Sequence, residues 1–145
     1  MYYADTCAYL VTTTSSLLDL NTRSKEPVQM TCFRPNLVVQ SATPFDEDDW
    51  AFLKIGEVIL RRLKPCERCI QTTINMNSGL RHPAGEPITT LKTYRVPKEP
   101  EKLAKLWKNK PTFGVNMAIE STGSLHTGDV VYVARISTHP WFRST

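Results

Sequence analysis

Four cysteines in 145 residues are few, and the shortage excludes a disulfide scaffold. A chain of this length buries a core without staples, so reduced intracellular thiols are expected. Long hydrophobic runs are missing too. No stretch reaches about 18 consecutive apolar residues, which leaves no candidate membrane-spanning helix. The opening "MYYADTCAYLVTTT" has neither the basic start nor the apolar run of a secretory leader. Internal repeats and low-complexity segments are also absent. What is present, 41% hydrophobic and 22% charged residues, is the composition of an ordinary globular chain, and the length predicts one domain over residues 1–145.

The formal charge of +4 is modest but unevenly spread. Residues 46–49 read "DEDD", whereas Lys92 to Lys110 hold seven Lys or Arg against Glu99 and Glu101. Such runs are most often solvated surface; a basic face for an acidic protein, built from Lys98, Lys102, Lys105 and Lys108, is the alternative.

Short β-rich segments recur: "AYLVT" at 8–12, "NLVVQ" at 36–40, "EVILRRL" at 57–63, "CIQTTIN" at 69–75, "GVNMAIE" at 114–120 and "DVVYVARI" at 129–136. Turn residues punctuate them, including "NSG" at 77–79 and "TGD" at 127–129, so a mainly β domain is expected. A few short helices accompany it. Ser16 followed by Asp19 resembles a helix start; "DEDDWAFLKIG" at 46–56 puts acids before Trp50 and Leu53 and suits a short helix. Pro87 sits where a first-turn proline would, and residues 99–111 show the clearest helical periodicity. A predicted strand begins within the first dozen residues, as expected of a domain that lacks part of its pairing.

Residues 64–73, "KPCERCIQTT", hold the one close cysteine pair. A zinc site wants a second pair, and Cys7, Cys32, His82, His126 and His139 are singletons. A redox dithiol gains from a helix N-terminus, whereas "IQTTI" favours a strand. A Cys66–Cys69 disulfide closes a very small loop. A single thiolate on a soft metal fits the adjacent Lys64 and Arg68, which favour the ionised sulfur. Two buried reduced thiols are the plain alternative.

The phrases "TCFRPNLVVQ" at 31–40, "PFDEDDWAFLKIGEVIL" at 44–60, "PCERCIQTTIN" at 65–75, "GEPITTLKTYR" at 85–95, "PTFGVNM" at 111–117 and "GDVVYV" at 128–133 together resemble the MOSC domain of the mitochondrial amidoxime-reducing component family. The resemblance spans nearly the whole chain. It implies a β-barrel-like fold with a few short helices that holds molybdenum-molybdopterin, with Cys69 as the protein thiolate on molybdenum and Cys66 a neighbour. Arg34 and Asn36 match residues expected at the cofactor, where a guanidinium suits a phosphate or a pterin carbonyl; pairing with an acid such as Asp48 is Arg34's alternative role. Arg68 is an expected cofactor contact, Asp5 and Thr6 match the edge of the pocket, and Asn116 is a further candidate. Trp50, Phe33 and Phe113 are expected in the core rather than against a cofactor. Asn75 stands where the family often has Asp, a change expected to act on a turn.

The resemblance implies a reductase of N-hydroxylated compounds such as amidoximes, with electrons from NADH through a flavin reductase and cytochrome b5. It also carries the family's association with the mitochondrial outer membrane and, more loosely, with pyridoxal phosphate binding. The match begins partway into the family's sequence, so the chain is expected to be a C-terminal portion without the companion β domain and anchor, and cytoplasmic on its own. Two other readings stay open: the cofactor-binding domain of a molybdenum cofactor sulfurase, and an inactive fragment.

Overall fold

The longest pairing joins two ten-residue strands, β4 (Val58–Glu67) and β5 (Thr112–Ser121), whose antiparallel register slips three times. Each slip puts an extra residue on one strand, which bends and twists the pair. In this computed structural model, which describes residues 8–98 and 109–137, that bend curls the whole sheet. The other strands are β1 (Tyr9–Thr13), β2 (Leu37–Val39), β3 (Trp50–Ile55) and β6 (Val131–Arg135), in the order β2-β1-β5-β4-β3-β6. Neighbours are antiparallel except β1 and β2. Val38 and Val39 from one edge line the same groove as Val131 and Val133 from the other, so the sheet is a six-strand curled half-barrel. The expected mainly β, barrel-like class is what the fold shows.

Val11, Trp50, Leu53, Leu60, Val115 and Met117 fill the curl. A second cluster of Leu20, Phe33, Leu91 and Phe113 is built with helices α1 (Thr14–Arg23) and α2 (Ile88–Tyr94), and Phe33 stacks on Phe113 at 3.9 Å between ring centroids. The expectation that Trp50, Phe33 and Phe113 are core residues therefore holds. Where β5 passes β1, Gly114 has φ +77°, and a Cβ there would lie 2.7 Å from both Thr12 Cγ2 and the Val11 carbonyl. Only glycine fits that crossing.

Three local expectations are corrected. Residues 46–56 are not a helix: Asp46–Asp49 form one 3₁₀ turn and β3 follows. Residues 69–75 are not a strand: Ile70–Thr73 form a 3₁₀ turn, because the Thr72 and Thr73 hydroxyls donate back to the Cys69 and Ile70 carbonyls at 2.9 and 2.6 Å and compete with ladder bonds. Helix α1 starts earlier than Ser16. Thr13 caps it, accepting from the Ser16 N–H, while the Ser16 hydroxyl turns inward to the fully buried Glu47 carboxylate at 2.8 Å. Pro87 immediately precedes α2. Asn75 organises a turn, its Oδ1 accepting from the Asn77 and Ser78 amides. Of the helix expected over 99–111, residues 99–108, with Lys102, Lys105 and Lys108, lie outside the described residues, and 109–111 are not helical; Lys98 is described and exposed.

Candidate functional site

Strand β4 carries Cys66 to its end, and the chain leaves the sheet through Arg68. That departure is pinned. The Arg68 amide donates to the Pro111 carbonyl at 2.8 Å, and its guanidinium donates from Nε and Nη2 to the Phe113 carbonyl at 2.9 and 2.5 Å and from Nη1 to the Phe33 carbonyl at 3.1 Å. Arg68 is only 6% exposed. Its charge is satisfied by backbone dipoles and by the face of Phe33, 5.2 Å away. Expected as a cofactor contact, Arg68 is placed as a buried clamp that fixes the residue before Arg34 and the residues flanking Cys69.

Three sulfurs surround this clamp. Cys66, Cys32 and Cys69 all lie within electrostatic reach of the guanidinium and oppose the fall in its pKa that burial causes. Burial pushes the Cys32 thiol up to about 12, against the pull of Arg68. Burial likewise raises Cys66, and the Arg68 charge and a hydrogen bond with the Asn116 side chain recover part of that shift. Cys69 differs from both, because it is exposed. It stands at the head of the 3₁₀ turn, with its carbonyl taken by the Thr72 amide and hydroxyl at 3.2 and 2.9 Å. One exposed sulfur and two half-buried ones thus lie near a single cation.

The remaining predicted residues approach from the other side of the sheet. Asn36 exchanges two bonds with Leu10, its amide donating to the Leu10 carbonyl at 2.9 Å and its Oδ1 accepting from the Leu10 amide at 2.8 Å. Leu10 pairs with Asn116, and Asn116 with Lys64. A row Asn36–Leu10–Asn116–Lys64 therefore crosses four strand positions and ends two residues from Cys66. Arg34 sits just before it with φ 55°, closing a 3₁₀ turn at Met30–Phe33; a non-glycine residue in the left-handed region is uncommon. Asp48 pairs with Arg95 at 2.6 Å. Arg34, next to the Phe33 carbonyl that Arg68 holds, lies by the clamp with Cys69, and Asn116 bonds Cys66, whereas Asn36 stands at the far end of that row, with β1 and β5 between it and Cys66; Asp5 and Thr6 lie outside the described residues. Cys32 is the member that sequence reasoning missed. Its only signal was membership of the same "TCFRPN" phrase as Arg34 and Asn36.

Among the described residues no three His, Cys, Asp or Glu side chains are grouped to hold a metal ion. A lone exposed cysteine beside a buried cation does not cage a zinc. It suits a soft metal that arrives with most of its ligands already attached, as a pterin dithiolene would supply. Arg34 and Asn36, polar residues of the segment after the Phe33 that Arg68 holds, are of the right type to hold the polar parts of such a group. The residues present therefore fit molybdenum-molybdopterin. Among the described residues no helix is long and apolar enough to cross a membrane.

Comparison with known proteins agrees with this geometry. The chain is 42% identical over 130 residues to mitochondrial amidoxime reducing component 2 of Homo sapiens and 40% identical over 131 residues to component 1 of Homo sapiens, covering 90% of this chain in each case. It spans only 38% of the length of either relative. A solved structure, YiiM from Geobacillus stearothermophilus, superposes with a TM-score of 0.54 over 91% of this chain and 56% of its own length; at 13% identity it speaks to the fold alone. The family model described as the MOSC domain matches residues 1–132, and with the curled half-barrel, the Arg68 clamp and the exposed Cys69 in place, this chain belongs to the MOSC domain family.

Proposed function

We propose that this chain is the cofactor-holding part of an oxidoreductase that reduces N-hydroxylated compounds, amidoximes among them, with Cys69 as the one protein thiolate on a pterin-bound molybdenum. The observation that carries the reading is the division of the three sulfurs around Arg68, in which Cys69 alone is exposed. When bound, the cofactor supplies two-electron chemistry by which an N–OH group, two electrons and two protons become N–H and water. This chain's own residues do the rest. Cys69 fixes the position of the metal and donates charge to it. Arg68, buried and bonded to the Phe33 and Phe113 carbonyls, holds the Cys69 turn against β5. Arg34 and Asn36 would hold the phosphate or pterin edge, and Asp5, Thr6 and Asn116 would border the pocket.

Electrons would come from cytochrome b5 and its NADH-dependent reductase, in keeping with the mitochondrial naming of the relatives, and the outer membrane is the proposed location of the whole protein. The test uses the whole protein that contains this chain, loaded with molybdenum-molybdopterin. Reduction of an amidoxime by a chemical donor is expected and should disappear in Cys69→Ser. A loaded protein that binds the cofactor yet reduces no N-hydroxylated compound would instead favour a cofactor-carrying role.

A further inference from the structure

The chain beyond Cys69 folds into a small lobe that the proposed chemistry does not use. Ile74 bridges Arg81, the Asn75 amide donates to the Leu80 carbonyl at 2.9 Å, and the His82 amide donates to the Thr73 carbonyl at 2.7 Å. This short hairpin stands opposite residues 27–32, and His82 Nε2 ties it to Glu26 at 3.1 Å. Between the two walls lies a cavity of about 390 Å³. That is well above the roughly 150 Å³ that accommodates a benzene ring and within the range of small-molecule sites.

One residue of each wall connects to the site already described. Thr72 lines the cavity and bonds the Cys69 carbonyl, and Cys32 lines it from the opposite side while facing the Arg68 charge. The cavity therefore begins one tight turn along the chain from Cys69. Among the polar residues Asn75, Ser78, Arg81 and His82 of this wall, two apolar side chains stand out: Met76 and Leu80 are 55% and 71% exposed and join neither core cluster. Exposed large apolar side chains grouped at a cavity mark a binding surface more often than chance, and methionine adapts to differently shaped partners.

We infer that this cavity receives the apolar body of the N-hydroxylated compound, so that Met76 and Leu80 select ring-bearing compounds over small polar ones. The inference rests on the reductase reading. A compound no larger than its N-hydroxyl group gains nothing from the cavity; one with a ring loses water-exposed area there, which appears in KM.

The experiment compares benzamidoxime with hydroxylamine in the loaded whole protein, for the wild type and the surface variant M76D/L80D. We expect the KM for benzamidoxime to rise about tenfold with kcat within about twofold, and the constants for hydroxylamine to stay within about twofold. Methyl NMR of the whole protein titrated with benzamidoxime should move the Met76 and Leu80 signals before others. Equal changes for both compounds, no change for either, or shifts confined to methyls away from the cavity would overturn the inference. Failure of the wild type to reduce either compound would sink the reductase reading instead, and the methyl shifts would still decide the cavity.

Discussion

Arg68 holds the Phe113 carbonyl with two donors, Nε at 2.9 Å and Nη2 at 2.5 Å, while a third reaches Phe33. A single buried side chain thus joins the end of β4, the start of β5 and the turn before Arg34. Arg68→Met keeps volume but strands two buried carbonyls, and should cost roughly 2–4 kcal/mol in chemical denaturation. Arg68→Lys should recover less than half, because an ammonium cannot fork to both acceptors. Full recovery by lysine would mean that charge alone matters.

The two half-buried sulfurs and the exposed one should separate by reactivity. At pH 8 a thiol that titrates near 12 is ionised in only about one molecule in ten thousand, which is the condition of Cys32. Iodoacetamide followed by peptide mass analysis should label Cys69 well before Cys32 and Cys66. Labelling of all three at one rate would contradict the division.

Gly114 and Gly56 both have positive φ, yet a Cβ meets close neighbours only at Gly114. Gly114→Ala should lose at least about 2–3 kcal/mol through strain and overpacking, whereas Gly56→Ala should lose about 1 kcal/mol. The thermal midpoints of the two variants decide it. Equal midpoints would mean that the β1–β5 crossing relaxes easily.

Glu47 sits wholly buried among the Thr13 and Ser16 hydroxyls at 2.8–2.9 Å. Burial raises its pKa, and its hydrogen bonds offset part of the rise. A folded value above the unfolded one means a stabilising share that is complete below the ordinary range near about 4.3 and is lost as pH climbs through the folded value. Glu47→Gln removes that dependence. Its urea midpoints should therefore fall less than the wild type's between acid and neutral pH, while Glu47→Ala should be destabilised throughout by about 2–4 kcal/mol. Parallel wild-type and Gln curves would show that Glu47 does not titrate there.

Much of the sheet was legible because alternating β-branched runs and glycine turns act locally, as in β1, β5 and β6. The failures have tertiary causes. Trp50 and Leu53 are three apart and share one core, which imitates a helix; a register shift between Trp50 and Phe52 is what turns both inward from a strand. The acids before them serve Arg95, Arg135 and the Thr13–Ser16 pocket rather than a helix dipole. In the candidate site, Arg34, Asn36 and Cys69 are named by the resemblance of their motifs to the family's. Cys32 is not, since only the Arg68 bonds to Phe33 and Phe113 bring residues 32 and 69 to the same cation.

The central claim is that one sulfur of three, Cys69, binds the metal. It is tested most directly by counting sulfur neighbours at the molybdenum absorption edge in the loaded whole protein, for the wild type, C69S, C66S and C32S. One sulfur fewer in C69S, with C66S and C32S unchanged, is the predicted result. The same sulfur count in C69S as in the wild type, or an equal loss in C66S, would contradict it.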